Sequence, residues 1–217
     1  QREDGGTVPT VPSKHGANEH VPSSLVLHMI LDPLGTTTKA LPPPKVNDTL
    51  IASDSLPKTL GNYGFFLDRG ANDPAPGVVP YRLNMPLFSD GADKHRFVYV
   101  PDGQEIGIGD QGLLQFPVGS ALIKTFAFGA GDSQRKIETR VLLHRADGWV
   151  ALPYMWNEEQ TEATLALAGK RVPVTTPWGE DISYRVPNKN QCKECHGLEG
   201  AVTPIGPKTR NLSAAWL

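Results

Sequence analysis

The sequence predicts a mainly β fold: an antiparallel sandwich or barrel-like domain, with an extended Pro-rich arm before it and a loop-like segment after it. Three observations predict it. Short apolar runs between residues 81 and 187 alternate with Gly, Asp and Pro turn signals, as antiparallel strands do. The run Lys136 to His144 has period two, with Ile137, Thr139, Val141 and Leu143 on one side and Glu138, Arg140, Leu142 and His144 on the other. That alternation predicts one buried face. Gly 22 and Pro 20 in 217 residues are too many for a helical bundle, yet fall short of the roughly 25–30% that marks low-complexity disorder.

Residues 1–48 form the first segment. Pro9, Pro12, Pro22, Pro33 and Pro42-Pro43-Pro44 each remove an amide donor. The one apolar patch, Leu25 to Leu31, suffices for one strand or one turn of a packed arm. The segment reads either as an extended arm ending in a polyproline linker or as a mobile tail.

Residues 49–187 form the β-rich domain. Short helical stretches are expected around Asn47 to Ile51 and Leu56 to Tyr63, with Asn47 or Asp48 as N-cap. Pro74-Ala75-Pro76-Gly77 reads as a turn. Strands are expected at Arg96 to Val100, Ala121 to Phe128, Lys136 to His144, Trp149 to Trp156, Thr164 to Ala168, Arg171 to Thr175 and Ile182 to Val186. Asp147-Gly148 is the kind of pair that makes a tight hairpin. No GxSxG, HExxH or Gly-rich phosphate loop interrupts the pattern.

Charge narrows the partners. Lys+Arg 21 against Asp+Glu 23 gives a net charge of -2, so no basic excess is present to neutralise nucleic acid or an anionic membrane surface. No apolar run approaches the ~18–20 residues of a transmembrane helix. The chain starts at Gln1, which fits a removed leader or a trimmed chain.

Residues 188–217 form the third segment and carry the chemistry. Cys192-Lys193-Glu194-Cys195-His196 is the CxxCH pattern of covalent haem attachment. Two thiols three residues apart reach the two vinyl groups of one haem c, and the adjacent His196 turns its imidazole to the iron as proximal ligand. A CxxC redox disulfide normally opens a helix after a βα unit, whereas this motif follows an all-β stretch. Zinc requires four ligands, and no second CxxC or HxxxH is present. A structural disulfide between such close neighbours would close too small a loop to stabilise much.

No Met or His follows His196, so a sixth ligand from this chain has to come from upstream. The candidates are Met29, Met85 and Met155, with His15, His20, His28, His95 and His144. Met155 is the first choice: in a strand, Tyr154 and Trp156 point away from its sulfur. Its alternative is a core methionine. Lys208 and Arg210 are candidates for charge-assisted bonds to the haem propionates, or else solubilising charges near the chain end.

Several blocks carry a resemblance: Pro86-Leu87-Phe88-Ser89-Asp90 through Arg96-Phe97-Val98-Tyr99-Val100-Pro101, Ile137-Glu138-Thr139-Arg140, Trp156-Asn157-Glu158-Glu159-Gln160-Thr161, Asn190-Gln191-Cys192 to His196, and Gly206-Pro207-Lys208-Thr209-Arg210-Asn211-Leu212. In this order they resemble a family of exported bacterial proteins usually labelled diheme c-type cytochromes. The resemblance implies a periplasmic or extracellular location and a haem on Cys192, Cys195 and His196. It implies no particular reaction. This chain departs from the diheme pattern in having a single CxxCH.

The expected function is electron transfer, with single electrons passed to or from an oxidoreductase or another cytochrome. Two alternatives stand beside it. One is a haem enzyme or gas sensor with an open sixth position and His144 or His95 as polar distal group. The other is a haem-carrying structural subunit that assembles with further copies through the Pro-rich arm.

Overall fold

Six strands form the central sheet: β1 (Val78–Pro80), β2 (Asp93–Tyr99), β5 (Ala121–Phe128), β6 (Arg135–Arg145), β7 (Gly148–Trp156) and β8 (Ala163–Leu165). They are paired in the order β1-β2-β5-β6-β7-β8, and every neighbour is antiparallel. Three two-stranded sheets accompany it: β3 (Gly107–Ile108) with β4 (Leu114–Gln115), β9 (Lys170–Thr175) with β10 (Asp181–Val186), and β11 (Gly197–Leu198) with β12 (Ala201–Val202). The computed structural model describes residues 45–191, 197–198 and 201–213. The Pro-rich segment through residue 44 lies outside the described residues, as do Cys192, Cys195 and His196.

The fold is mainly β and antiparallel, as expected from the alternation and turn signals. Two residues, Ala146 and Asp147, link β6 to β7, and the register pairs Arg145 with Gly148 at φ +115°. The turn therefore falls one residue earlier than Asp147-Gly148. The helix near the start is real but short: α1 spans Asp48–Ala52, and the Asn47 side chain caps it by accepting from the Leu50 amide at 3.0 Å.

The expectation of a single buried face is corrected by the packing. On one side, Ile123, Val141, Leu143, Leu152 and Tyr154 pack under Ile51, Tyr63 and Phe65 of the preceding segment. The Tyr154 hydroxyl lies 3.1 Å from the Pro57 carbonyl, and Arg145 donates to the Ile51 and Ser55 carbonyls at 3.2 and 2.9 Å. On the other side, Leu122, Leu142 and Ala151 pack with Phe116, and Phe126 and Phe128 pack with Tyr184 and Val186 of β10. Glu138, expected on the more polar face, is wholly buried. Both sides of the central strands are covered.

Ile137 is the second correction. The β5–β6 register passes from Phe126↔Glu138 to Ala127↔Lys136, so Ile137 is the extra residue of a β-bulge. A bulge breaks the two-residue period. Ile137 packs with the Phe126 and Phe128 cluster rather than with Val141 and Leu143.

Candidate functional site

The register of β2, β5, β6 and β7 arranges one face of the sheet in rows. One row is Lys94, Phe126, Glu138 and Met155; the next is Arg96, Lys124, Arg140 and Pro153; the third is Val98, Leu122, Leu142 and Ala151. Three cations thus stand side by side on three adjacent strands. Directly opposed like charges destabilise a sheet, so this row requires a reason.

Lys94 and Phe126 of the first row, Arg96, Lys124 and Arg140 of the second, and Leu122 and Leu142 of the third form one wall of a cleft of about 580 Å³. Residues 204–211 and residues of the 81–89 loop supply the rest of the lining. The volume falls within the roughly 300–1,000 Å³ of small-molecule and cofactor sites. Its lining is of two kinds. Leu83, Leu122, Phe126, Leu142 and Ile205 are apolar, while Lys94, Arg96, Lys124, Arg140, Lys208 and Arg210 are cationic. Among the described residues, no Asp or Glu lines it.

The nearest acid is already engaged. Arg140 forks onto Glu138 at 2.9 and 2.5 Å, and the Tyr184 hydroxyl donates to the same carboxylate at 2.7 Å. A buried carboxylate needs such partners. Burial and the neighbouring Glu138 charge raise the Tyr184 pKa above the ordinary tyrosine range, so it remains a donor. Arg96 is only 9% exposed, and its Nη1 donates to the Lys94 carbonyl at 3.1 Å. The Lys94 ammonium donates to the Leu87 carbonyl.

Lys124 has no carboxylate within 4 Å among the described residues. Its ammonium lies 5.1 Å from the centre of the Phe126 ring, which the Arg140 guanidinium also approaches, at 4.3 Å. Burial, then Arg140, Arg96 and Lys94, push the Lys124 pKa down to about 8, and Glu138 opposes only weakly. Tyr81 is pushed up to about 12 by burial, against the pull of Arg96.

Residues 204–213 are tied to distant parts of the chain. The Met85 amide donates to Asn211 Oδ1 at 2.9 Å, and the Asn84 amide donates to the Asn211 carbonyl at 2.8 Å. Arg210 Nη1 donates to the Gln111 carbonyl at 3.3 Å, and Lys208 forms a β-bridge with Leu113. Among residues 204–213 is one short 3-10 turn at Thr209–Asn211.

The predicted site residues divide. Lys208, Arg210 and Met85 all line the cleft, and Met85 is 82% exposed. Met155 is half-buried on the same sheet face but packs with Phe126, Phe128, Tyr184 and Val186, and it is not part of the lining. The face expected from alternation is the observed one, since Tyr154 and Trp156 lie in the opposite core. His144 stacks on Trp149 at 4.6 Å, and its Nδ1 lies 2.9 Å from the Phe116 carbonyl. His95 Nε2 meets Gln134 Oε1 at 2.9 Å.

The residues flanking Cys192 to His196 are fixed. Before the motif, Asn188 and Gln191 bond each other's amides at 3.1 and 2.9 Å, and the Lys189 amide donates to the Leu167 carbonyl at 3.1 Å. After it, Gly197 pairs with Val202, and Val202 packs on the Phe116, Leu122, Leu142 and Ala151 cluster. Among the described residues, no group of three or more His, Cys, Asp or Glu is set to hold a metal, and no helix is long and apolar enough to cross a membrane.

Sequence reasoning missed Lys94, Arg96, Lys124 and Arg140. A signal was present: Lys124 is the one charged residue of the run Ala121–Phe128, and Arg96 precedes Phe97-Val98. A cation inside a strand buried on both faces points to a partner from elsewhere. Comparison with family models, with curated proteins and with solved structures finds no match.

Proposed function

We propose that this chain is an exported monohaem c-type cytochrome that passes single electrons to or from a partner redox protein, an oxidoreductase or another cytochrome. The observation that carries the reading is Cys192-Lys193-Glu194-Cys195-His196. The proposed periplasmic or extracellular location rests on the family resemblance of the sequence blocks.

The cleft supports the reading because its donor set fits a haem. A porphyrin plane needs apolar walls, which Leu122, Phe126, Leu142 and Ile205 supply. Two propionates need cations, which Lys208, Arg210 and the Arg96 row supply. Cys192 and Cys195 would hold the group through thioethers, and His196 would ligate its iron. The bound haem supplies one-electron chemistry. The chain excludes water with its apolar wall, sets charge near the group with its cations and offers Met85 at the cleft as a thioether. Exclusion of water, nearby positive charge and a thioether ligand all favour the reduced state.

The test is direct. Acid–acetone should fail to extract the pigment, and the protein mass should exceed the chain mass by one haem. Oxidised and reduced spectra should both be low-spin and indifferent to carbon monoxide. A colourless protein, or one with a Cys192–Cys195 disulfide, overturns the proposal.

A further inference from the structure

We propose that the Arg96–Lys124–Arg140 row is an anion site, built for a ligand that presents two negative charges through carboxylate or phosphate oxygens. The argument is one of charge balance. Three cations in register on adjacent strands repel one another, and solvent only partly screens them, because Arg96 is buried and Lys124 half-buried. Two more cations, Lys208 and Arg210, line the same cleft. Glu138 answers one charge, and Arg140 and Tyr184 already occupy its oxygens. Arg96 and Lys124 have no carboxylate partner within 4 Å among the described residues.

A row held only for solubility would sit on the open surface. This one sits on the floor of a cleft, beside leucines and a phenylalanine that suit an apolar ligand body. Burial first, and then the neighbouring cations, lower the Lys124 pKa, so an anion placed beside it would oppose both.

The required chemistry has two sources. One is the pair of propionates of a haem held as proposed above, in which case the inference rests on that reading. The other is a free small dianion.

The experiment uses the full chain as purified and the same chain with Cys192→Ala and Cys195→Ala, which cannot form thioethers. Each is titrated at low ionic strength with inorganic phosphate and with succinate, while the side-chain methylene signal of Lys124 is followed by NMR. In the double-alanine chain, either anion should shift that signal saturably, and Arg96→Gln should weaken the binding at least tenfold. If the haem-bearing chain then fails to respond, the propionates are the occupant; if it responds equally, a free dianion is. Absence of a saturable shift in both chains, with a reduction potential unchanged by Lys124→Met in the haem-bearing one, overturns the proposal. A chain purified without covalent haem would overturn the proposed function, yet leave the anion titration able to succeed or fail independently.

Discussion

Lys124 stands directly opposite Arg140 in the β5–β6 register, cation against cation on the floor of a cleft. The pairing makes stability depend on pH. Burial, Arg140, Arg96 and Lys94 hold the Lys124 pKa at about 8 in the fold, against 10.5 ordinarily. Between those values the unfolded chain binds the extra proton, so stability rises with pH. The expected gain is on the order of 1–3 kcal/mol. Tyr63, Tyr81, Tyr99, Tyr154 and Tyr184 act in reverse, because burial raises each of them. Above about pH 10 the unfolded chain loses its tyrosine protons first, and stability falls. Urea unfolding of protein free of added anions should therefore show a maximum near that pH, and Lys124→Met should flatten the rise below it. A native profile flat from pH 8 upward would contradict the assignment.

Glu138→Gln keeps the shape of the buried side chain and removes its charge. Arg140 and Tyr184 then lose the carboxylate that both contact. The expected loss is about 3 kcal/mol, since stranding one member of a buried ion pair is costly. Tyr184→Phe removes one bond to a charged group and should cost about 1.5 kcal/mol. Denaturant midpoints at constant slope measure both, and equal losses would show that the carboxylate matters only through tyrosine.

Met85→Leu and Met155→Leu separate the two sulfur candidates for the iron. Met85 lines the cleft, while Met155 packs with Phe126 and Tyr184. With Met85 as sixth ligand of the proposed haem, Met85→Leu should abolish the weak far-red band of iron–thioether bonding in the oxidised protein and lower the reduction potential. Met155→Leu should leave the spectrum as it is and cost less than about 1.5 kcal/mol as a volume-conserving swap. The reverse pattern would assign the ligand to Met155.

Gly169→Ala tests the approach to the haem motif. Gly169 has φ +69°, and a Cβ there would lie 2.6 Å from the Val186 carbonyl oxygen and 2.8 Å from the Asn188 nitrogen. Both contacts are backbone, so neither moves cheaply. A loss of about 2 kcal/mol is expected from the left-handed conformation and the clash together. Because Asn188 is bonded to Gln191, just before Cys192, the spectrum of a haem held as proposed should also be perturbed. Thermal unfolding and the Soret band read the two effects separately.

The strands were legible because period two and turn residues are local signals. Ala121–Phe128 matches its predicted bounds, β6 runs one residue further at each end, and β7 starts one residue earlier. The short strands β1, β3, β4, β11 and β12 were not legible, since two or three residues carry no period. Neither was the burial of Glu138, which is set by Tyr184, 46 residues further along. The cleft was half legible. Lys208 and Arg210 stood out beside the motif, but the Arg96–Lys124–Arg140 row exists only once three strands are in register. The bulge at Ile137 is a third case: alternation assumes an unbroken ladder.

The bonds that tie Asn84 and Met85 to Asn211 and Leu212 join residues 126 to 128 positions apart. Strands β5, β6 and β7, by contrast, are consecutive hairpins. Local pairings form early, and a closure of such long sequence separation forms late. The sheet floor is thus expected to form before the wall at 204–213 closes. The same order, reversed, makes that wall the first part to open on sub-global unfolding. For the proposed haem, the expected consequence is a cavity that closes around the group rather than one into which it is threaded.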